Sequence, residues 1–449
     1  MFLHKTTQIA IFLYTMRKRK ILVLGSGGRE HVFVWKLSQS ASNPEIFVAP
    51  GNAGTDEMAT NVELNPLDFQ MVGDFCAANE IDIVIPGSEE PLVKGIVNYL
   101  EDRKDTSNVF VFGPRKEVAM LEGSKDFAKD FLMENRIPTA GYQTFNGNDF
   151  PGAVDYINNH PGPYVIKADG LAAGKGVLIT SSPDEAKDIL KEMMIDRKFG
   201  DACDKLVIEE FIPGIEFSAF AISDGKSFKL LPMAKDYKQI GEKDTGLNTG
   251  GMGAVSPVPF VDNSIMKMVN EFIINPTFKG FENRQQPFVG FLFFGLINGR
   301  KSPMVIEYNV RMGDPETEVV FPRIKTDFVE ILDAVAEQRL DKLDIEVEDG
   351  FCTTVFAVSG GYPGSYEKGK KIEIDDLDDG FIFHAGTNRI DGDLVTSGGR
   401  VLASTAIGKT MVDALNTSYA NMDKIRFEGK YFRRDIGQDL MNLQNGNSQ

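Results

Sequence analysis

The first hundred residues alternate short apolar runs with amphipathic segments, and this alternation limits the possible folds most strongly. The stretch ILVLGSGGREH, residues 21–31, has the pattern of a buried strand, a glycine-rich turn and the start of a helix. Further strands are predicted within residues 46–54, 81–100 and 109–114. Strands that alternate with helices form a parallel, doubly wound sheet, which binds ligands at the carboxyl ends of its strands. The glycine-rich turns lie at those ends.

The rest of the chain divides into two regions with different patterns. Residues 119–340 contain helices, strand pairs around small-residue loops and a glycine-rich loop without periodicity at 246–259, which together indicate an α+β unit. Residues 341–440 indicate a smaller, mostly β domain with a helix near 408–422. The chain has 449 residues, of which 42% are hydrophobic, and this is enough for several cores. We therefore predict a multidomain α/β and α+β protein whose first domain spans residues 17–118.

Charge and cysteine usage exclude several classes of protein. The formal net charge of −17 argues against a general polyanion binder such as a nucleic-acid-binding protein, although it permits a local basic pocket for a phosphate. Cys76, Cys203 and Cys352 are too far apart for a disulfide framework or a CxxC metal site, which fits a reducing cytosol. Only four histidines are present, so a histidine-rich metal site is not expected. We predict a cytoplasmic protein.

Residues 1–16 form a separate problem. The apolar run at 9–14 is too short to span a bilayer. A signal peptide has its basic residues before the apolar run and a small-residue cleavage site after it, whereas here MRKRK follows the run. We interpret residues 1–16 as an extra N-terminal tail, with Met16 as the better candidate initiator. The alternative is a targeting or membrane-contact segment.

The stretch VIEYNVRMGDPETEV, residues 305–319, places polar side chains in a β-branched run. Glu307 and Asn309 are two residues apart, so both lie on one face of a strand. Carboxylate and amide oxygens are hard ligands suited to Mg²⁺ or Mn²⁺. Arg311 shares that face and can bind a carboxylate or a phosphate. This pattern predicts a metal and anion site, and the alternative is a polar sheet edge.

Two glycine-rich turns depart from the standard nucleotide motifs. In GSGGRE, residues 25–30, Glu30 stands where a dinucleotide fingerprint has its third glycine, so a small phosphate is favoured over NAD. In GLAAGKG, residues 170–176, Gly176 stands where a Walker A loop has Ser or Thr. We interpret the second loop as a flap over a triphosphate to which Lys175 adds positive charge. A purely structural turn and a mobile hairpin are the respective alternatives.

Two strand residues point to the same kind of ligand. Lys167 lies in the apolar strand at 164–170, and a buried lysine is costly unless an anion meets it. The alternative is a strand at an exposed edge. The segment EEFI, residues 209–212, ends a strand before Pro213, and its backbone can pair with an adenine edge. An ordinary strand end is the alternative there.

Taken together, these motifs resemble the phosphoribosylamine–glycine ligase (glycinamide ribonucleotide synthetase) family of ATP-grasp enzymes. The resemblance rests on GSGGREH, APGNAGT, EEPLVKG, LEGSKDFAKDFL, VIKADGLAAGKGV, KDTGLNTGGMGAVSP, VIEYNVRMGDPET, GGYPG and HAGT, in that order. It implies a Rossmann-like N-domain, an ATP-grasp central domain of two subdomains and a small β-rich C-terminal domain. It also implies the purine-synthesis reaction of glycine, 5-phosphoribosylamine and ATP to glycinamide ribonucleotide, ADP and phosphate, through glycyl phosphate.

The resemblance also implies roles for individual residues. Glu307 and Asn309 correspond to ligands of Mg²⁺ or Mn²⁺. The implied contacts to ATP are Lys125, Lys167, Ala172, Gly174, Lys175, Gly176, Glu209, Glu210, Ile212 and Glu216. The implied contacts to the amine and carboxylate substrates are Gly27, Gly28, Gly51, Asn52, Gly54, Glu89, Arg311, Asp314 and Arg400. Catalytic roles are implied for Arg311, Asp314 and Lys167. The expected protein is a monomer with small-molecule substrates and neither nucleic-acid nor membrane partners.

Two positions depart from the family pattern, and three other functions compete. Ser88 lies in a turn that often contains proline in the family, and Tyr237 stands where a histidine is common. The first competing function is another ATP-grasp carboxylate–amine ligase or carboxylase. The second is a nicotinamide-dependent oxidoreductase, against which the missing third glycine argues. The third is a nucleotide-binding regulator that binds ATP without forming ADP.

Overall fold

The computed structural model describes residues 18–172, 176–299 and 302–444. The predicted tail at 1–16 and the predicted ATP contacts of Gly174 and Lys175 lie outside these residues. Within the described ranges, no helix combines the length and the apolar composition needed to cross a membrane.

The N-terminal region is a five-stranded parallel sheet with the strand order β3-β2-β1-β4-β5. Its strands are β1 (Lys20–Gly25), β2 (Glu45–Pro50), β3 (Thr60–Asn61), β4 (Ile83–Pro86) and β5 (Phe110–Val111); its helices are α1 (Gly28–Ser38), α2 (Phe69–Asn79), α3 (Glu89–Lys94), α4 (Ile96–Asp102) and α5 (Lys116–Gly123). The apolar residues of β1 are all buried, as expected for a strand covered on both faces. The predicted parallel, doubly wound sheet is therefore confirmed. The turn between β1 and α1 lies at the topological switch point.

A small antiparallel sheet follows, with the strand order β6-β9-β7-β8. Its elements are α6 (Lys125–Glu134), β6 (Tyr142–Asn146), α7 (Phe150–Asn159), β7 (Tyr164–Ala168), β8 (Val177–Thr180), α8 (Pro183–Leu190) and β9 (Lys205–Glu210). Ser124 caps α6, because its hydroxyl accepts a hydrogen bond from the Phe127 amide at 3.1 Å. This cap fixes where α6 begins and directs the lysines of its first turns toward β9.

The remaining strands of the central region belong to one eight-stranded sheet with the order β16-β15-β10-β11-β14-β17-β22-β19. The central elements are β10 (Ile215–Asp224), β11 (Phe228–Asp236), β12 (Gln239–Gly241), β13 (Thr245–Asn248), β14 (Gly253–Ser256), α9 (Asn263–Val269), α10 (Asn275–Asn283), β15 (Val289–Asn298), β16 (Pro303–Asn309), α11 (Thr317–Val320) and α12 (Phe328–Ala336). The prediction of a loop throughout 246–259 is wrong at β14, which pairs with β11 and β17 in the middle of the sheet.

The C-terminal region continues this sheet across residue 340. Its elements are β17 (Phe351–Val358), β18 (Glu373–Ile374), β19 (Phe381–His384), β20 (Thr387–Ile390), β21 (Asp393–Thr396), β22 (Arg400–Gly408), α13 (Met411–Asp423), β23 (Ile425–Arg426) and α14 (Gln438–Gln444). The register pairs Gly253 of β14 with Val355 of β17. The C-terminal strands are therefore hydrogen-bonded to the central region, and they bring Arg400 to the central loops.

The N-terminal region packs on the central region through aromatic side chains. The ring of Phe33, on α1, lies 5.9 Å from that of Phe291, on β15, and 5.0 Å from that of Phe321. All three side chains are buried. Burial of several aromatic rings in one cluster contributes strongly to stability. This contact fixes the amino end of α1 against the loop that follows β16.

Candidate active site

A cavity of about 390 Å³ lies between the small sheet and the end of β16, and it reaches the N- and C-terminal regions. Arg29 and Glu89 line it from the N-terminal region, and Arg400 lines it from the C-terminal region. A second cavity of about 160 Å³ adjoins it, since Lys167, Glu209, Glu307 and Arg311 line both. All three regions of the chain therefore contribute side chains to one continuous site.

The end of β16 presents Glu307 and Asn309 to both cavities, as the alternation of a strand predicts. The Asn309 amide lies beside the carboxylate, with 3.5 Å between Nδ2 and Oε1 of Glu307. The opposite residue on β15 is Gly295, and a Cβ there would lie 2.8 Å from Cγ of Glu307. The glycine therefore leaves the space that the glutamate side chain occupies.

Positive side chains surround the Glu307 carboxylate. Burial acts to raise the pKa of Glu307, but Lys238, Lys167 and Lys125 outweigh it and hold the pKa below its usual range. Glu307 is therefore ionised at neutral pH. Nδ2 of Asn309 faces this carboxylate, and Oδ1 of Asn309 accepts from Nη2 of Arg311 at 3.3 Å. A carboxylate and an amide side by side supply the oxygen ligands that fit Mg²⁺ or Mn²⁺, which take their other ligands from water and phosphates.

Three buried charges lie side by side next to this pair. Nζ of Lys167 lies 2.8 Å from Oε1 of Glu209, and Nζ of Lys129 lies 3.2 Å from Oε2 of the same carboxylate. Lys167 also donates to the Ile306 carbonyl at 3.3 Å. The predicted adenine contact of Glu209 thus falls on a residue whose side chain is engaged by two lysines and whose strand is paired on both sides.

Lys125 and the small-residue loop complete this end of the site. Nζ of Lys125 donates to the carbonyls of Gly170 at 3.3 Å and Asp169 at 3.5 Å. Burial lowers the pKa of Lys125, and Glu307 partly offsets this effect. Ala172 and Gly176 line the smaller cavity beside it. This end combines several cations with small residues, which is a suitable environment for phosphate groups.

The larger cavity also has an apolar part that suits a flat ring. Its aliphatic lining comes from the four-stranded sheet, the eight-stranded sheet and the segment after β9. It includes Val165, Val177, Ile179, Ile212, Ile297 and Val305. Glu210 and Ile212 lie along one edge. Glu216 is paired with Lys238, with 2.9 Å between Oε2 and Nζ, and this lysine holds the pKa of Glu216 below its usual range.

The other end of the larger cavity contains matched arginine–carboxylate pairs. Arg311 lies 2.8 Å from Glu122 and 3.2 Å from Glu89. Arg400 lies 2.8 Å from Oδ1 of Asp314 and donates to the carbonyls of Asp314 and Gly250 at 2.8 and 2.6 Å. Burial acts to raise the pKa of Glu89, but Arg311, Arg29 and hydrogen bonds together lower it below its usual range. The structure thus brings Glu89, Arg311, Asp314 and Arg400 together as predicted from the sequence.

The glycine-rich turns of the N-terminal region divide into two groups. Gly27 lies near the cavity, since a Cβ there would lie 3.2 Å from Oδ2 of Asp314, and its amide donates to Glu30 at 2.6 Å. Gly28 contacts Glu318, because a Cβ at Gly28 would lie 2.3 Å from Oε1. These two residues bring the amino end of α1 close to the loop after β16.

The second turn does not line either cavity. Nδ2 of Asn52 donates to the carbonyls of Ser26 and His384, both at 2.9 Å, and its Oδ1 accepts from the amide of Gly54 at 2.9 Å. Gly51 adopts a left-handed φ of 74°. Gly51, Asn52 and Gly54 therefore hold the N- and C-terminal regions together where the sequence predicted substrate contacts.

Several side chains at the site were missed by sequence reasoning. They are Arg29, Glu122, Lys129, Asp236, Lys238 and Glu316. Burial raises the pKa of Glu122 to about 7, and burial together with Asp236 raises that of Glu316 to about 7. Lys129 had one usable signal, because it follows Lys125 by four residues on a helix and so shares its face. The others carry no local pattern that separates them from solvated residues.

Comparison with known proteins identifies the family. Models of the phosphoribosylglycinamide synthetase N domain, ATP-grasp (A) domain and C domain match residues 19–122, 123–317 and 352–439. A phosphoribosylamine–glycine ligase of Chlorobaculum tepidum is 45% identical over 93% of this chain and 99% of its own length. A bifunctional purine biosynthetic protein of Pichia angusta is 46% identical over 94% of this chain, which spans about half (54%) of that protein.

A solved structure agrees with these matches. The crystal structure of phosphoribosylamine–glycine ligase from Thermotoga maritima has a TM-score of 0.79 and 37% identity, and the alignment covers 93% of this chain and 100% of that one. The likeness thus extends over nearly the whole chain. The chain belongs to the phosphoribosylamine–glycine ligase family of ATP-grasp proteins.

Proposed function

We propose that this chain ligates glycine to 5-phosphoribosylamine at the expense of ATP, giving glycinamide ribonucleotide, ADP and phosphate. The observation that carries the proposal is the continuity of one cavity from a lysine-rich end to an end of matched arginine–carboxylate pairs. A ligase of this kind must hold a polyanionic nucleotide next to two small polar substrates. The lysine-rich end suits the first, and the paired end suits the second.

ATP binds with its adenine in the apolar part of the cavity. The backbone of Glu210 and Ile212 meets the adenine edge, and Glu216 meets the ribose hydroxyls. Lys125 and Lys167 neutralise the phosphates, because they are a half-buried and a buried cation beside the predicted metal pair. Ala172 and Gly176 leave room for the phosphates because their side chains are small.

Glu307 and Asn309 would hold the divalent cation, which we propose is Mg²⁺ or Mn²⁺. When bound, the ion supplies charge neutralisation for the phosphate oxygens. The residue types support this role, since Glu307 is ionised and the amide side chain of Asn309 lies beside it. The remaining contribution of the chain is positional: these two residues set where the phosphates lie relative to Lys167.

The chemistry proceeds in two transfers. A glycine carboxylate is a poor electrophile, so it must first be activated. Its oxygen attacks the γ-phosphorus of ATP, which gives glycyl phosphate and releases ADP. Lys125 and Lys167 stabilise the negative charge on the phosphoryl oxygens during this transfer. The amine of phosphoribosylamine then attacks the acyl carbon, phosphate leaves, and the amine loses a proton. No protein nucleophile is required.

The paired end orients the two acceptor substrates. We assign Arg311 to the glycine carboxylate, because its guanidinium faces the cavity close to Glu307. Asp314 and Glu89 are carboxylates that suit an amino group. The amino end of α1 at Gly27 and Gly28 suits the ribose phosphate, with Arg400 nearby. Holding both substrates in this orientation lowers the entropic cost of bringing the reacting groups together.

The test is ADP release by purified protein with Mg²⁺, ATP, glycine and freshly generated phosphoribosylamine, with each component omitted in turn. We expect ADP formation that requires both glycine and the amine. Glu307→Ala should abolish it and raise the metal concentration needed for ATP binding, whereas Glu282→Ala, on the exposed face of α10, should change neither. ATP turnover with a different acid or amine would move the function to another carboxylate–amine ligase, and ATP binding without turnover would favour a regulator.

The proposal also covers the cellular location and the oligomeric state of the protein. The three cysteines are free and buried thiols, which is consistent with a reducing cytoplasm. We propose a cytoplasmic monomer that acts on small molecules. Sedimentation of the purified protein over a range of concentrations tests the monomer, and a concentration-dependent mass contradicts it.

A further inference from the structure

Lys129, Glu209 and Lys167 form a group that we call the lysine–glutamate triad. The residues lie on α6, β9 and β7, and the Glu209 carboxylate lies between the two ammonium groups, at 3.2 and 2.8 Å. The side chains are only 3%, 5% and 5% exposed. Such burial keeps water from screening the charges, so each charge acts on its neighbours strongly.

Lys129 is fixed by contacts on several sides. Its Nζ donates to Oγ1 of Thr139 at 2.8 Å, and this hydroxyl donates to the Val305 carbonyl of β16 at 2.8 Å. The Tyr142 ring centre lies 5.3 Å from Nζ. Lys129 lines only the smaller cavity, whereas Glu209 and Lys167 line both. Lys129 thus lies behind the carboxylate, as seen from the larger cavity.

The charges of the triad do not cancel. Two ammonium groups and one carboxylate leave a net charge of +1. Without Lys129, the carboxylate would pair with Lys167 alone and neutralise it. With Lys129 present, the carboxylate is shared, and Lys167 retains positive charge toward the phosphates.

We infer that Lys129 is a positioning residue that acts through Glu209 on Lys167, and that the net charge of the triad sets the affinity for nucleotide phosphates. This inference rests on the proposed function, because it takes the lysine-rich end as the ATP end. It assigns a role to Lys129, which shares a face of α6 with Lys125 but does not line the larger cavity. It also makes the Glu209 side chain part of phosphate binding.

The first experiment measures the Kd of Mg²⁺-ATP directly, by calorimetry, for Lys129→Met. We expect Kd to rise about 10- to 100-fold, as is typical when the outer partner of a ligand-binding group is removed. The matched control is Lys36→Met, since Lys36 is also a buried lysine on a helix and donates to the Ile324 carbonyl far from the site. The control should leave Kd unchanged. Equal Kd values for Lys129→Met, Lys36→Met and the parent chain overturn the inference.

A double-variant cycle separates charge from structural damage. Counting each lysine as +1 and the carboxylate as −1, the triad has a net charge of 0 in Lys129→Met, +2 in Glu209→Gln and +1 in the double variant. If charge governs affinity, the double variant binds ATP more tightly than Lys129→Met does. If Lys129 is only structural, removing a second buried group weakens binding further. The second result overturns the inference.

A pH series on the parent chain and on the double variant supplies a second readout. Burial lowers the pKa of Lys129 to about 8, against the opposing effect of Glu209, and Lys167 lowers it further. The parent chain should therefore lose ATP affinity as pH rises through about 8, because Lys129 loses its proton. The double variant retains Lys125 and lacks Lys129, so it should lose less. Identical profiles overturn the inference.

The outcome for the triad is distinct from the outcome for the ligase activity. ATP binding needs neither glycine nor phosphoribosylamine. Absence of glycine- and amine-dependent ADP release in the parent chain would contradict the proposed function and leave the triad measurements interpretable. Normal ADP release with no difference between Lys129→Met and Lys36→Met would contradict the triad alone.

Discussion

The two ends of the cavity use positive charge differently. At the lysine-rich end, Lys129 and Lys167 share one carboxylate, and Lys125 donates to main-chain carbonyls. At the other end each arginine has carboxylates of its own: Arg29 with Glu30, Arg311 with Glu89 and Glu122, and Arg400 with Asp314. Unmatched charge needs an external anion, whereas matched charge stabilises the folded chain. The lysine-rich end is therefore built for a ligand, and the paired end also joins the three regions.

This difference has an energetic consequence. A buried cation that lacks a full partner is unfavourable until a ligand arrives, so its removal costs binding more than stability. A cation between a buried carboxylate and a partly buried one is the reverse case, since its removal leaves uncompensated negative charge. Single substitutions at the two ends should therefore separate loss of stability from loss of affinity.

The largest effect is expected for Arg311→Met. Glu122 and Glu89 would lose their shared partner, and we expect the free energy of unfolding to fall by about 3–5 kcal/mol. The loss should be larger at pH 8 than at pH 6, because a carboxyl without its cation takes up a proton more readily. Urea unfolding at both pH values measures it. Arg426→Met removes an exposed ion pair with Asp375 and should have little effect. Equal losses for the two variants would break the comparison.

The opposite behaviour is expected for Lys125→Met. The free energy of unfolding should change little, because the half-buried ammonium group of Lys125 donates to carbonyl oxygens, and burial and repulsion from Lys167 oppose its attraction to Glu307. The Kd of Mg²⁺-ATP should rise about 10- to 100-fold, the equivalent of one charge-assisted hydrogen bond. Calorimetric titration and urea unfolding of the same preparation check both parts. A stability loss as large as that of Arg311→Met would show that the two ends do not differ in this way.

The sequence predicts the parts of the site in which local pattern and chemistry coincide. Apolar strands with glycine turns gave the parallel sheet, and alternation along a strand placed Glu307 and Asn309 together. The Ser124 cap was also predictable from its hydroxyl at a helix start. In each case the determining interactions lie within a few residues of one another along the chain.

The missed features depend on contacts between distant segments. Strand β14 has only four residues and directly follows a glycine-rich stretch, but its pairing with β11 and β17 makes it a central strand. Asn52 has the position of a ligand-binding turn residue. Its side-chain amide instead donates to the carbonyl of His384, which is more than three hundred residues away along the chain. Tyr237 is buried, and its hydroxyl donates to Asp439 at 2.5 Å, so it binds α14 to β11. No local rule gives these partners.

One carboxylate at the paired end departs from the pattern of matched charges. Glu318, on α11, is fully buried, and neither of its oxygens has a hydrogen-bond partner in the described part of the chain. Burial raises the pKa of Glu318 well above its ordinary value, and the neighbouring Asp314 raises it further against Arg400 and Arg29. The folded chain therefore binds a proton at Glu318 more readily than the unfolded chain does.

The smallest expected effect is a gain in stability from Glu318→Gln. Folding raises the pKa of this carboxyl, so its effect on the free energy of unfolding depends on pH. The folded chain is favoured most below the pKa of the unfolded chain, and stability is lost as the pH rises from that value toward the pKa of the folded chain. The neutral amide has no such dependence, so we expect a gain of about 1–2 kcal/mol at pH 6 that increases at pH 8. Thermal unfolding across this range measures it, with the exposed Glu90→Gln as the control. A gain that is constant with pH would mean that Glu318 is ionised in the folded chain, and that Arg400 or Arg29 matches its charge as it does for the other carboxylates of that end.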